Sequence, residues 1–207
     1  MRTYIRNRTL HGYDLNLIAV VSISTLVLVL SYYHPLDISF RPATGLIYYL
    51  LIPLAAGWLL FRDKPWDYGI RAGHWKSSVI ATLISLAVMA PILYAVSQMS
   101  DFRSYYHREA IDWPELLFYK ALYYFAWEFL FRGYMLFGLE KSIGKSAIFV
   151  QVIPFVLSHL GKPVLETLFC IPGGAVFGYV AYRTRSVLPC FVIHFGIYVM
   201  IILFANS

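Results

Sequence analysis

The 207-residue sequence predicts an all-α fold, a polytopic transmembrane helical bundle of about seven spans making one integral-membrane domain over residues 1–207. Three observations predict it. Hydrophobic residues make up 59% of the chain and charged residues only 14%, against about 25% charged in soluble domains. Mean hydropathy is +0.64. Apolar runs recur along the chain at the length of about 20 residues that a bilayer-crossing helix needs.

The basic stretch Met1-Arg2-Thr3-Tyr4-Ile5-Arg6-Asn7-Arg8 precedes the first run, Leu15 to Tyr33. That run exceeds a signal-peptide core, and the bulky Ser31-Tyr32-Tyr33-His34 lacks a small-residue cleavage pattern, so it reads as an uncleaved span. The second run extends from Thr44 to Phe61 and the third from Ser78 to Val96. The polar connection Gln98 to Trp113 has room for an interfacial helix. Pro114 suits the first turn of the fourth span, Glu115 to Phe137. The fifth, Ser146 to Leu160, is short, and reads as tilted, partly re-entrant or broken near Pro154. Gly161 and Pro163 divide it from the sixth, Pro163 to Tyr182. Arg183-Thr184-Arg185-Ser186 then turns the chain into the seventh, Leu188 to Phe204.

The net charge of +6 resides in the segments between these runs, not in a separate basic and aromatic patch, so no nucleic-acid partner is expected. With the N-terminus inside, Arg2, Arg6, Arg8, Arg62, Lys64, Arg71, Lys76, Lys141, Lys145, Arg183 and Arg185 fall on the inner side. Arg41, Arg103, Arg108 and Lys162 fall outside. Eleven against four predicts a cytoplasmic N-terminus, in what reads as a bacterial plasma membrane. Cys170 and Cys190 form no cluster and read as small buried hydrophobes.

The fourth span contains Trp127-Glu128-Phe129-Leu130-Phe131-Arg132-Gly133. Ionisable groups inside a bilayer are costly, face the bundle interior and by default mark a functional site. Glu128 and Arg132 are four apart and share a helix face. Glu128 lies roughly 14 Å from the inner end of its span, His194 roughly 10 Å and His159 roughly 20 Å. All three depths fall within the hydrocarbon core of about 30 Å, so the three side chains are able to meet in one polar cavity.

One carboxylate with two imidazoles suits activation of water, the carboxylate as general base and the imidazoles as donors to the oxyanion or leaving group. The same trio offers two His and one Glu to zinc, but the compact His-Glu-x-x-His spacing is missing. Neither a metal nor another cofactor is expected. Ser158 beside His159 forms no Ser-His-Asp constellation. Tyr198, four residues after His194, offers a hydroxyl on the same face, although it is one of 17 tyrosines. Glu166 suits the first turn of its helix through the helix dipole, and at a depth close to that of His159 it is a second candidate carboxylate.

These motifs resemble the CAAX-protease and bacteriocin-processing family of intramembrane proteases, which includes the Ras-converting prenyl-protein endopeptidase. The resemblance covers Leu116 to Phe204. The family's Glu-Glu-x-x-x-Arg motif is matched by Trp127 to Gly133, its Phe-x-x-x-His motif by Phe155 to His159, and its last histidine by His194. Gly178 to Pro189 is similar to the family's approach to that last motif. Two positions depart: Trp127 stands where the family has its first Glu, and Tyr198 where it has Asn. The Trp-Glu form, with His159-Leu160-Gly161-Lys162-Pro163, is similar to the bacterial myxosortase-type members. The resemblance implies hydrolysis of a peptide bond in a membrane-associated protein or peptide, without a tightly bound metal and without requiring a prenylated substrate. Glu128, His159 and His194 would be catalytic, with Arg132, Glu166 and Tyr198 in support; Glu166 is the alternative base. The missing first Glu equally fits an inactive member that binds a peptide or confers bacteriocin immunity. A small transporter is a third class, without an inverted repeat to recommend it.

Overall fold

A computed structural model describes residues 9–36 and 42–207. Arg2, Arg6, Arg8 and Arg41, which count toward the predicted orientation, lie outside the described residues. The described chain is helical apart from one short antiparallel hairpin, Thr9–Leu10 with Tyr13–Asp14. His11 and Gly12 turn it with φ of 49° and 85°, the paired positive φ of a tight two-residue hairpin. Asp14 closes the hairpin and caps α1 (Leu15–Tyr33), its carboxylate accepting from the Asn16 and Leu17 amides at 3.0 Å each.

The remaining helices follow the apolar runs. They are α2 (Ala43–Phe61), α3 (Trp75–Ser97), the short α4 (Ser100–Tyr106), α5 (115–143), α6 (Ala147–Val150), α7 (Val152–Leu157), α8 (Val164–Thr184) and α9 (Leu188–Ala205). Five of them, α1, α2, α3, α8 and α9, are individually long and apolar enough to cross a membrane. The chain is an all-α, polytopic integral membrane protein. In α5 the regular helix Lys120–Glu128 passes into a wide π-helical turn, Phe129–Met135, before resuming at Leu136–Ile143. The connection expected to have room for a further helix contains α4.

The fifth segment is broken, as one of its expected forms required, and the break falls at Gln151, three residues ahead of Pro154. Proline is tolerated in the first turn of a helix, where its missing N–H has no partner to lose, and Pro154 sits in the first turn of α7. Gln151 instead bridges outward, its side-chain amide donating to the carbonyls of Ile148 at 2.8 Å and Gly174 at 3.0 Å.

Close packing depends on small residues, as it does wherever lipid supplies no hydrophobic drive between helices. A Cβ at Gly178 would lie 2.7 Å from the Gln151 side-chain nitrogen and 3.2 Å from the Ile148 carbonyl oxygen, so α8 packs closely on the broken segment there. A Cβ at Gly133 would lie 2.9 Å from the Tyr68 carbonyl oxygen, where the loop after α2 presses on α5. Loops predicted to be inner gather at one end of the bundle. There Asp63 meets Tyr68 and Lys141, and Arg185 forks onto Glu140 at 2.9 Å to each oxygen.

Candidate active site

Three helices supply the site: α5 gives Glu128 and Arg132, the end of the α6–α7 segment gives His159, and α9 gives His194. Glu128 Oε1 lies 2.6 Å from His194 Nδ1, and Glu128 Oε2 lies 3.3 Å from Arg132 Nε. The carboxylate and the guanidinium are both fully buried. The Arg132 cation sits 3.9 Å from the centre of the Phe155 ring, 5.2 Å from Phe177 and 5.7 Å from Phe131. None of its nitrogens makes a hydrogen bond of good geometry among the described residues. Aromatic faces replace water around this charge, each desolvated cation–π contact contributing up to about 2 kcal/mol.

The acceptors fix how the imidazoles are presented. An ionised carboxylate and a backbone carbonyl can only accept hydrogen bonds. His194 Nδ1 faces the Glu128 carboxylate, and His159 Nδ1 faces the Phe155 carbonyl at 2.7 Å. Each ring in its neutral form therefore carries its proton on Nδ1 and keeps the Nε2 lone pair free. The two rings lie 6.2 Å apart and nearly parallel, at 21°.

Both histidines line one cavity of about 440 Å³ between α3, α8 and α9. Phe155, Phe177 and Tyr124 surround the imidazoles, and aliphatic side chains such as Leu93, Leu165 and Ile197 make much of the remaining wall. Glu128 and Arg132 do not line the cavity; they stand behind His194.

Glu166 lines the same cavity, with both oxygens engaged. Oε2 accepts from the Tyr106 hydroxyl at 2.6 Å, and Oε1 pairs with Lys162 at 2.7 Å. Burial, and then the neighbouring Glu166 charge, raise the Tyr106 hydroxyl above its ordinary pKa, so it stays a neutral donor. Phe177, beside His194, lies eleven residues from Glu166 along α8, roughly 16 Å by helical rise. Tyr198 packs on Tyr124 with ring centres 5.0 Å apart.

Trp127 is buried in the core beside His159 and does not line the cavity. Its ring stacks on Tyr123 at 5.8 Å and meets His159 at 6.1 Å and 72°. Where the related motif has an acid, this chain places an aromatic surface against the second imidazole. Sequence reasoning missed two residues near the site. Tyr124 is one turn before Glu128, and that i−4 spacing was its only signal. Gln151 is a lone amide in a short apolar run, the sort of residue that holds a helix break.

Residues 109–200, the stretch holding all of these motifs, match the family model described as type II CAAX prenyl endopeptidase Rce1-like. The match supports the resemblance to the CAAX-protease and bacteriocin-processing family over that stretch, which is somewhat under half of the chain. The matched family is described as one of endopeptidases, which implies a peptide or protein as the substrate of its members. Neither a curated protein nor a solved structure matches the chain.

Proposed function

We propose that the chain is an intramembrane endopeptidase that hydrolyses a peptide bond in a membrane-associated protein or peptide, using Glu128, His194 and His159. The contact between Glu128 Oε1 and His194 Nδ1, at 2.6 Å and at the wall of the cavity, carries the proposal. Because Glu128 does not reach the cavity, it acts through His194. His194 Nε2 takes a proton from water, and the carboxylate opposes the positive charge that forms on the ring. His159 Nε2 accepts the second hydrogen of the same water and orients it. The water oxygen attacks the peptide carbonyl carbon. His194 then returns its proton to the amide nitrogen as the C–N bond breaks.

The test uses the purified chain in lipid nanodiscs with fluorophore-labelled β-casein as a disordered, partly apolar probe. His194→Ala and His159→Ala are expected to lower the cleavage rate by about 100-fold or more while the melting temperature is retained. Equal rates in the wild type and both variants would sink the proposal. A second reading is favoured by one observation, the aromatic Trp127 at the first acidic position. In it the chain binds a peptide without cleaving it, and the wild type would retain the probe intact.

The proposed setting is a bacterial plasma membrane with the N-terminus cytoplasmic. Lys162 and Arg108 then face outward, and Arg62 faces the cytoplasm. In intact cells a membrane-impermeant maleimide is expected to label Arg108→Cys and not Arg62→Cys; the reverse pattern would invert the orientation.

A further inference from the structure

We infer that the Tyr124 hydroxyl is the hydrogen-bond donor for the oxyanion that forms when water adds to the substrate carbonyl. The inference rests on the proposed hydrolytic function and assigns a catalytic role to a residue outside the recognised motifs.

Acyl chemistry of this kind needs a donor aimed at the oxygen where negative charge develops. The imidazoles of this site cannot supply it at the moment of attack, because both Nδ1 protons are held by Glu128 and Phe155 and both Nε2 atoms are acceptors. The Lys162 ammonium is paired with Glu166, and the Tyr106 hydroxyl donates to the same carboxylate. Ser85 lies across the cavity on α3. Tyr198 also lines a separate cavity with Arg108, Asp112, Glu115 and Lys120.

Tyr198 lines the catalytic cavity as well, and Tyr124 is set apart from these groups by its direct contact with the base. It is on α5 one turn before Glu128, and its ring meets the His194 ring edge to face at 4.7 Å and 71°. The ring is buried and lines the cavity. Among the described residues its hydroxyl has no hydrogen-bond partner, and unlike the Tyr134 hydroxyl it is not sealed from the cavity. Packing on Tyr198 at 5.0 Å and Phe195 at 6.3 Å holds the ring in place. A fixed phenol with an unspent proton beside the base is the arrangement an oxyanion donor needs.

The step balances without a co-reactant. As the water oxygen bonds to carbon, the carbonyl π pair moves onto oxygen, and Tyr124 donates a hydrogen bond to that oxygen without transferring its proton. When the tetrahedral species collapses, the pair returns, the C–N bond breaks, and nitrogen takes the proton from His194.

Tyr124→Phe keeps every ring contact and removes only the donor. In nanodiscs with labelled β-casein, kcat is expected to fall by about 100-fold, the size found for loss of one oxyanion donor, with KM and melting temperature unchanged. A kcat within threefold of the wild type, in a chain whose His194→Ala variant is inactive, would overturn the assignment and leave the protease standing. Absence of cleavage by the wild type itself would overturn both. A rise in KM alone would make Tyr124 a binding contact and also reject the assignment.

Discussion

Replacing Glu128 with Gln is expected to lower kcat by about 10²–10⁴-fold with little change in KM. The amide fills the same space but carries no charge to offset an imidazolium at His194. It can also present its NH₂ to Nδ1. That contact requires Nδ1 to accept, which moves the ring proton to Nε2 and removes the lone pair from the cavity. Glu128→Asp keeps the charge but shortens the reach to a ring now held at 2.6 Å, and should recover only part of the rate. Steady-state cleavage of labelled β-casein in nanodiscs measures both variants. Activity of Glu128→Gln within threefold of the wild type would show that the carboxylate has no part in the reaction.

The largest effect on stability is expected at Arg132. Arg132→Met leaves Glu128 as a buried, unpaired charge, and breaking a buried ion pair in this way costs about 3–5 kcal/mol. The double variant Glu128→Gln/Arg132→Met removes both charges and should regain most of that loss, because methionine fits among Phe131, Phe155 and Phe177 without desolvating a cation. Activity should not return with it. Arg132→Lys should behave more like Met than like Arg, since an ammonium has neither the planar face that lies 3.9 Å over Phe155 nor the weaker hydration of a guanidinium. Unfolding followed in mixed detergent micelles reads these differences. Equal stability of Arg132→Met and the wild type would mean that the pair does not hold the bundle.

The span boundaries were legible because the bilayer demands long apolar runs and penalises charge within them. Leu15–Tyr33 and Leu188–Ala205 lie within a residue of the apolar runs that announced them. The fourth expected span, Glu115 to Phe137, is helical over the longer stretch 115–143, but Lys120, Glu128 and Arg132 interrupt its apolarity and it is not one of the five helices apolar enough to cross a membrane. The expected convergence is found, with Glu128 on His194 and the His159 and His194 rings 6.2 Å apart. Which side chain reaches the cavity was not legible. Nothing in the order of residues says that Glu128 sits behind His194 while Tyr124, one turn earlier on the same face, reaches the cavity, because that depends on how α5 packs against α9. The break at Gln151 was hidden for a related reason: its partners are the carbonyls of Ile148 and of Gly174 on α8, and the second of these is contributed by a different helix.

The wide turn at Phe129–Met135 also bears on how the length of α5 can change. A π-type turn closes over five residues where an α-turn closes over four, so it stores one extra residue directly after Glu128. Deleting a single residue there would let the helix relax to regular pitch. Because the wide turn absorbs that residue, the parts of α5 on either side would stay close to their present phase, and the carboxylate would keep facing His194 while composition and hydropathy stay almost unchanged. Loss of one position is therefore expected to be tolerated better within Phe129–Met135 than within the regular helix Lys120–Glu128, where it would turn the preceding part by about 100°.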